Sequence, residues 1–590
     1  MPASWLRALE RADNETLFLD VENMGRFRFL MDETNPDNPY PIGFAEDRQP
    51  DGNFERTRLR WFSGQGDNER WIGLNCAACH TAELRYGATR FRVDGGPSII
   101  DFQSFDEEIA LALRQTLDVD SKFERFAQRV LAARSIDDGP RLRAALGELT
   151  EWRETVVAAN ESGLRYGFSR LDAFGHIFNQ VALFTGADSP TVRPSDAPVS
   201  YPFLWNTPQH DVVQWNGIAR NEPRILGVNI GALGRNTGEV IGVFGELNVS
   251  RRSGASLFGR RAYSSVFVAN LIEMEEQVAR LQSPQWPEEI LGPLDSGRVG
   301  RGRDLFAQQC RRCHQLVDRQ ALDTPITAQM SRFLPVPGES NTFPPPGTDP
   351  AMACRSYERT TAAEFYAGVT FTDEVGTQQR VGDEERISTL LAAMVRSALL
   401  DQAGELLTYL RSPTRGLVVN NPGEYAPGTP PAGASVTRLV TRDQVASAIN
   451  EGAFQSPQTQ GGEFNTLRDW GEFNACMTSN PSRLKAYKAR PLNGIWATAP
   501  YLHNGSVPNL YQLLLPPSRR VPSFYLGTRE FDVEMVGFRL GQTTENTFEY
   551  RTTNEDGSIR WGNYNGGHDY GNDLLSREQR YDLIEYMKSL

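Results

Sequence analysis

Two copies of one short pattern, Cys-x-x-Cys-His, constrain this chain more than any other feature of its sequence. The first copy is CAACH at 76–80 and the second is CRRCH at 310–314. This pattern is the attachment sequence of c-type haem. Two thiols one helical turn apart form thioethers to the porphyrin, and the adjacent histidine lies under the iron as its ligand. The sequence therefore predicts two covalently bound haem c groups, held by Cys76, Cys79, His80, Cys310, Cys313 and His314.

Two other kinds of site use closely spaced cysteines. A closed zinc site needs four ligands, and a single copy of the pattern supplies three. A redox dithiol is expected in a thioredoxin-like βαβ unit, which is not apparent around either copy. The occurrence of two complete copies favours haem over both alternatives.

The other two cysteines and the N-terminus bear on the compartment. Covalent haem attachment takes place outside the bacterial inner membrane, where disulfides also persist, so we expect Cys354 and Cys476 to pair. The alternative is two buried, inert thiols. The N-terminus, MPASWLRALE, lacks the pattern of a signal peptide, and no run approaches the ~18 apolar residues of a membrane span. We expect a periplasmic or secreted protein whose signal peptide has been removed or replaced.

The net charge limits the kinds of partner. The chain has 61 Lys and Arg against 74 Asp and Glu, a net charge of −13 with a pI near 5.2. This balance argues against nucleic acid or an anionic surface as a partner, and leaves an uncharged, apolar substrate open. We expect a monomer.

The positions of the two motifs predict two cytochrome c-like domains, 1–285 and 286–590, in a mainly helical fold with long loop-rich insertions. In the second domain, Gly302 and Phe306 lie on a helix that leads into Cys310. A closing helix begins at Ser576, which forms a capping box with Gln579. Further helices are predicted at 105–133, 139–159, 264–282 and 383–411, and proline-rich loops at 333–350 and 422–435.

The remaining histidines decide the chemistry. A haem whose two axial positions are both filled by side chains transfers electrons, whereas an open position binds O₂ or peroxide. His568 lies eight residues before the Ser576 cap, on the loop that enters the final helix, and we predict that it is the sixth ligand of the second iron. The alternative is a loop histidine satisfied by hydrogen bonds.

The stretch APYLHNGSV at 499–507, together with the two haem motifs, resembles the dihaem cytochrome c peroxidase and MauG superfamily. In those peroxidases a methionine about a dozen residues later ligates the second iron; here prolines stand at that spacing. The resemblance implies that His568 replaces that methionine. It also implies that His503 contacts and braces the second haem. If His568 is not the sixth ligand, His503 is the alternative.

A second stretch that resembles the same superfamily carries two candidate catalytic residues. Trp215-Asn216-Gly217 stands where the peroxidases have a Trp-Asp-Gly, whose tryptophan lies between the haems, so the resemblance implies that Trp215 is an electron bridge. Glu239 stands where a glutamate faces the open haem as acid or base. The structural alternatives are a core tryptophan that needs one partner for its N–H and a solvated glutamate.

Phrases such as RWIGLNCAACHT, PVSYPFLWNTPQHDVVQWNG and KARPLNGIWATAPYLHNGSVPNL look like the RoxA-type branch, the rubber oxygenases and their relatives that act on unsaturated fatty acids. The branch implies a dioxygenase whose first haem binds O₂ as co-substrate and whose second haem is six-coordinate. It also implies oxygenation or cleavage of C=C bonds in an apolar substrate, polyisoprene or an unsaturated fatty acid. The superfamily adds a possible bridging Ca²⁺.

Apolar residues are expected to shield the distal side of the first haem from water. Ile230 and Leu233, from LGVNIGAL, and Phe174 and Phe178, from LDAFGHIFNQV, are the candidates. For each of them the structural alternative is an ordinary place in the core.

Three other functions stay open at this point. A peroxidase would reduce H₂O₂ with electrons from a donor protein, and Glu239 favours it. A pure electron carrier would need His176 or His210 as the sixth ligand of the first iron. A protein-modifying enzyme like MauG would place a tyrosine at the methionine position, but neither Tyr501 nor Tyr511 has that spacing.

Overall fold

The fold was obtained as a computed structural model, which describes most of the chain. The described residues are 1–48, 69–132, 138–221, 224–225, 228–251, 260–333, 347–372, 378–404, 406–407, 475–478, 482 and 484–590. The α-helices are Ala3–Ala8, Val21–Arg26, Cys76–Cys79, Phe102–Asp118, Asp120–Ala132, Gly139–Ala159, Ala173–Phe184, Ile230–Val243, Val268–Ala279, Glu288–Leu291, Ser296–Gln309, Ala351–Glu358, Ile387–Asp401, Leu510–Leu513 and Arg577–Lys588. The strands form the antiparallel pairs Phe44–Asp47 with Trp71–Leu74, Thr81–Tyr86 with Thr89–Asp94, Arg170–Leu171 with Val199–Ser200, Val212–Val213 with Ala219–Arg220, Arg224–Ile225 with Val228–Asn229, Leu247–Arg251 with Arg260–Ser264, Gln329–Arg332 with Ala486–Ala489, Thr360–Ala362 with Glu384–Arg386, Thr370–Thr372 with Gln378–Arg380, Ser523–Leu526 with Phe548–Arg551, and Phe531–Asp532 with Gly537–Phe538.

The prediction of a mainly helical fold is wrong. The structure has 41% helical and 17% strand residues, so the fold is mixed α/β. Its strands are short and pair two at a time, as Thr81–Tyr86 does with Thr89–Asp94. A strand of two to six residues is too short for its alternation to stand out from the surrounding loop sequence. Segments that we interpreted as loop insertions therefore contain these small sheets.

The predicted helices are found, with shifted ends. The 139–159 helix is confirmed as Gly139–Ala159, and the 264–282 prediction shortens to Val268–Ala279. The 105–133 helix divides at Val119, whose extended backbone separates two helices. The 383–411 prediction corresponds to Ile387–Asp401. Its residues after 407 lie outside the described residues, as do most of the loop predicted at 333–350 and all of that at 422–435.

Three apolar clusters make up most of the described core. The first lies among the helices Ala173–Phe184, Ile230–Val243 and Ile387–Asp401. The second lies among the N-terminal helices, and the third surrounds Ser296–Gln309 and Arg577–Lys588. The first and third clusters both draw residues from before and after position 285. The division into domains 1–285 and 286–590 stays a prediction.

The helix before the second haem motif crosses the C-terminal helix closely. A side chain on Gly302 would collide with the backbone carbonyl of Asp582, so only glycine allows this approach. Arg301 donates two hydrogen bonds of 2.9 and 2.8 Å to the Asp582 carboxylate beside the crossing. The capping box is confirmed, since the Ser576 hydroxyl accepts from the Gln579 backbone and the Gln579 side chain accepts from the Ser576 backbone.

The predicted disulfide is confirmed. Cys354 and Cys476 are bonded across a sequence separation of 122 residues, and both are buried in the first apolar cluster. Within the described residues, no helix is both long and apolar enough to cross a membrane.

Candidate functional site

The first Cys-x-x-Cys-His motif forms a single helical turn after a strand. Trp71–Leu74 is the strand, and Asn75 caps the turn by accepting a 3.0 Å hydrogen bond from the Ala77 amide. Cys76 and Cys79 form no disulfide, so both sulfurs are available for thioether bonds. The local fold thus presents the two thiols as the motif requires.

The His80 ring is held by the backbone on one side. Its Nδ1 donates a 2.7 Å hydrogen bond to the carbonyl oxygen of Pro202. Because a carbonyl only accepts, this bond fixes the tautomer and leaves Nε2 with its lone pair for a metal. Burial lowers the pKa of His80 to about 4, which keeps the ring neutral as a ligand must be. The ring centroid of Tyr201 lies 6.4 Å from that of His80.

The second motif lies at the end of a long helix instead. Ser296–Gln309 runs directly into Cys310, and the His314 ring repeats the arrangement of the first site. Its Nδ1 donates a 2.7 Å hydrogen bond to the carbonyl oxygen of Arg490. The Nε2 of His314 is therefore also left as the ligating nitrogen.

The His568 ring lies opposite His314. Their ring centroids are 6.1 Å apart. Two metal–nitrogen bonds of about 2 Å, with about 1.1 Å from each nitrogen to its ring centre, place two axial imidazoles about 6 Å apart. The Nδ1 of His568 is buried and has no hydrogen-bond partner, and burial lowers the pKa of the ring to about 3. The residues present fit a haem iron held between the two histidines, and the ligand role of His568 stays a prediction that this geometry supports.

His503 makes different contacts. Its ring stacks on Tyr487 with centroids 4.0 Å apart, and burial lowers its pKa to about 3. Its backbone carbonyl accepts a 2.8 Å hydrogen bond from the Ser200 amide. These contacts hold the 499–507 loop in place, and none of them is with His314 or His568.

Trp215, like His503, is hydrogen-bonded to Ser200. Its indole Nε1 donates a 3.1 Å hydrogen bond to the Ser200 carbonyl, so the indole has the single partner that a core tryptophan needs. The ring packs against the first apolar cluster. Trp215 and His503 therefore meet through one residue, Ser200, and the role of Trp215 as an electron bridge stays a prediction.

Glu239 is partly buried and lies near the first haem motif. Gln214 donates a 3.0 Å hydrogen bond to its carboxylate. Burial raises the pKa of Glu239, and the charge of Arg235 opposes that shift. The carboxylate in turn raises the pKa of Cys76, after the larger effect of burial. The structure thus places an acidic group with an elevated pKa beside the first motif.

The candidate shielding residues share the first apolar cluster. Phe174, Phe178 and Leu233 are all buried there, and the two phenylalanine rings lie 5.7 Å apart. Ile230 begins the helix that carries Leu233 and Glu239, but its side chain lies outside the described residues. The structure brings Trp215, Leu233 and Phe174 together in one cluster.

The two histidines proposed for an electron carrier are buried elsewhere. The His176 ring lies between Phe102 and Tyr166, with centroids 6.4 and 6.1 Å away. His210 is 2% exposed, and neither of its ring nitrogens has a hydrogen-bond partner. In the part of the chain that the structure describes, no second histidine ring faces His80.

A calcium site gains no support. Among the described residues, no group of three or more His, Cys, Asp or Glu side chains is arranged to hold a metal ion. The bridging Ca²⁺ stays a prediction from resemblance alone.

Sequence reasoning missed the groups that orient the two haem-motif histidines. Both are backbone carbonyls, of Pro202 and Arg490, and a carbonyl acceptor leaves no mark in the choice of side chain. It also missed Gln214, the partner of Glu239. The segment YKARP at 487–491 has two cations, Lys488 and Arg490, with one residue between them, and this spacing was the only signal in the sequence for the role of Arg490.

Comparisons with known proteins place this geometry in context. Residues 486–525 match the family model described as RoxA-like, cytochrome c-like. The whole chain is 28% identical to an uncharacterised protein of Sinorhizobium fredii, y4iJ, and covers 89% of it. A stretch of 87 residues, 15% of the chain, is 41% identical to a second uncharacterised protein of that organism, y4iM, and covers 19% of it. A cytochrome c-like domain implies haem c, so the match supports a haem-dependent oxidoreductase related to the RoxA family.

Proposed function

We propose that this chain is a dihaem oxygenase of the RoxA type, which uses O₂ to oxygenate or cleave C=C bonds of an apolar substrate. The substrate classes are polyisoprene and unsaturated fatty acids. Cys76, Cys79 and His80 would hold the first haem; Cys310, Cys313, His314 and His568 would hold the second. We further propose that the protein is exported and acts as a monomer.

The observation that carries the proposal is the difference between the two histidine sites. His314 faces a second imidazole at a distance that suits one iron between them. His80 is oriented by the same kind of hydrogen bond, and the ring that contacts it among the described residues is that of Tyr201, not a histidine. One filled and one open axial position is the combination that an oxygenase needs, whereas a pure electron carrier needs both filled.

The side chains proposed to lie at the open position would exclude water, and one of them carries a proton. When bound, a haem with one open axial position supplies redox chemistry toward O₂. Phe174 and Leu233 belong to the apolar cluster that would exclude water from that side. Glu239, with its raised pKa, holds a proton at its carboxyl more readily than a solvated glutamate does.

The test is O₂ uptake by the purified dihaem protein in the absence of H₂O₂. Oleate and a cis-polyisoprene latex are the substrates, and products are identified by mass spectrometry. We expect uptake with at least one alkene and none with stearate, the saturated control. Hydroperoxy acids would indicate oxygenation of a fatty acid, and keto-aldehyde fragments would indicate polymer cleavage.

A dihaem peroxidase is the second candidate, because a partly buried carboxyl with a raised pKa suits proton transfer to peroxide. Rapid H₂O₂ turnover with a reduced donor cytochrome, together with no O₂ uptake on any alkene, would contradict the oxygenase and establish this alternative.

A further inference from the structure

Three basic side chains meet in the interior between the two haem motifs. Lys488 and Arg490 are two residues apart at the end of the strand Ala486–Ala489, so they lie on the same face of it. His210 follows the 3₁₀ turn Thr207–Gln209, and the Nζ of Lys488 donates a 3.0 Å hydrogen bond to the carbonyl of Val212, two residues after His210. The charges of Lys488 and Arg490 lower the pKa of His210, after the larger effect of burial.

All three side chains are buried, and three of their six nitrogens lack hydrogen-bond partners. Their exposed fractions are 2% for His210 and 8% for both Lys488 and Arg490. Neither ring nitrogen of His210 has a hydrogen-bond partner, and neither does Nε of Arg490. Lys488 donates its 3.0 Å hydrogen bond to a backbone carbonyl, that of Val212. An unpaired buried donor costs free energy, so these atoms point to a ligand that accepts from them.

The nearby acidic group, Asp211, compensates this charge only in part: burial and the charge of Arg490 lower the pKa of Lys488 well below its ordinary value, although Asp211 raises it. Asp211 is exposed, and its carboxylate accepts hydrogen bonds from two backbone amides. No carboxylate forms an ion pair with Arg490 within the described residues, and burial lowers its pKa to about 9. Buried cations without an anionic partner are strongly destabilising. An anion would neutralise them.

Hydrogen bonds place the cluster between the two haem-motif histidines. The Arg490 carbonyl accepts from His314, and the Arg490 guanidinium donates a 2.8 Å bond to the Phe203 carbonyl. Phe203 directly follows Pro202, whose carbonyl accepts from His80. The guanidinium also lies over the Phe203 ring, 3.6 Å from its centroid. One arginine thus connects the segments that orient both histidines.

We propose that His210, Lys488 and Arg490 form a buried carboxylate-binding site between the two haem motifs. Lys488 and Arg490 are cationic donors, whose hydrogen bonds to a carboxylate are among the strong ones. A neutral His210 adds one N–H donor to the same site. Two sources supply this chemistry: a propionate of either haem, or the head group of a free fatty acid. The propionate source rests on the dihaem part of the proposed function, but it does not depend on the reaction that the haems carry out.

The experiment compares Lys488→Met and His210→Leu with a matched control, Lys485→Met. Lys485 is also a buried lysine, 1% exposed, and its Nζ donates to the Cys476 carbonyl at 2.7 Å. The control therefore measures the loss of a buried lysine at a place with no proposed ligand. Each variant is prepared as the holoprotein, and its midpoint potentials are measured by spectroscopic redox titration.

If a propionate occupies the site, Lys488→Met lowers the potential of at least one haem, and the parent protein binds oleate no more tightly than oleyl alcohol because the site is already filled. Lys488→Arg restores the potential, and Lys485→Met leaves it unchanged. If a free carboxylate occupies it, the parent protein binds oleate more tightly than oleyl alcohol, and Lys488→Met weakens the binding of oleate about tenfold without weakening that of oleyl alcohol. Neither readout requires turnover, so a failure of the oxygenase activity does not affect the result.

Thermal stability of the holoprotein gives an independent measurement. If the site binds a carboxylate, His210→Leu removes a hydrogen bond to it and lowers the Tm. If His210 binds nothing, the same change removes an unpaired buried polar group and leaves the Tm equal or higher. The proposal is overturned if His210→Leu does not lower the Tm and Lys488→Met matches Lys485→Met in potentials and in oleate affinity.

Discussion

His80 and His314 each donate from Nδ1 to a backbone carbonyl 2.7 Å away, yet their surroundings have little else in common. The first motif follows a strand, and the helix that carries Glu239 lies near it. The second follows a long helix, and His568 faces it from the loop before the C-terminal helix.

This difference distinguishes the residues that would attach a haem from the residues that would determine its chemistry. In the proposed function, five consecutive residues of one pattern would specify where each haem is attached. Residues more than a hundred positions away would specify what each haem can do, through coordination, charge and access of water. Two copies of a single motif can therefore serve two purposes in one chain.

The largest effect is expected when the first site loses its histidine. His80→Ala should lower O₂ uptake by more than the about 10–100-fold that loss of a ligand's hydrogen-bonding partner costs. Both thioethers remain, so the intact mass should still show two haems. Tyr201→Phe is the control, because it keeps the ring beside His80. If His80→Ala keeps its O₂ uptake, the reaction with O₂ takes place at the second site, and the roles proposed for the two sites are exchanged.

A change at the second site should make the two sites alike. His568→Ala removes the proposed sixth ligand, so the ligand-free spectrum should gain a second high-spin component, and the reduced protein should bind a second CO. His503→Ala is the control, because its ring stacks on Tyr487. If His503→Ala opens the second haem and His568→Ala does not, the ligand assignment is wrong.

The fold was predictable where a local signal is strong. The capping box at Ser576 and the Gly139–Ala159 helix are confirmed from patterns of a few adjacent residues. The small sheets were missed because a two-residue strand such as Arg170–Leu171 carries no alternation, and its partner lies almost thirty residues away. Tertiary contacts create these pairs, and a single sequence does not record them.

The third prediction concerns the contact between the helices Ser296–Gln309 and Arg577–Lys588. It tests whether the stability of the region around the second motif depends on this contact. Gly302→Ala places a methyl group against the Asp582 backbone, which should destabilise this region by about 1–3 kcal/mol. Gly300→Ala, on the same helix but facing open space, should instead stabilise by about 0.5–1 kcal/mol. Thermal unfolding followed at each haem's own absorbance reports the two regions separately. Equal loss at both haems would show that the regions unfold as one unit.

Only some of the residues of the candidate site could be predicted from the sequence. The motif histidines and His568 could be proposed from the sequence because a ligand must be a particular side chain. The cluster of Lys488 and Arg490 with His210 could not, since 278 positions separate His210 from Lys488 and only the fold brings them together. Backbone acceptors such as the Pro202 carbonyl are beyond any argument from side-chain type.

The smallest effect is expected at Glu239, the acidic group of the first site. Burial raises its folded-state pKa above the ordinary 4.5. As pH rises above 4.5, the unfolded chain releases this proton before the folded one does, so the carboxyl's contribution to stability falls until the folded pKa is passed. Glu239→Gln, which stays neutral, should match the parent protein below pH 4.5 and have a slightly higher Tm at pH 7. A variant Tm that is lower than the parent's at pH 7, with a difference that closes toward acid pH, would mean that the pKa is lowered.

Activity of the same variant sharpens the comparison of the two sites. An oxygenase whose open site is shielded by apolar residues should keep most of its O₂ uptake in Glu239→Gln, because no proton from this carboxyl is needed for attack on an alkene. A peroxidase should lose about 10²–10⁴-fold of its H₂O₂ turnover, the usual cost of removing a general acid or base. Gln214→Ala, which removes only the 3.0 Å hydrogen bond to the carboxylate, is the matched control. Loss of O₂ uptake in both variants would place Glu239 in the oxygenase reaction itself.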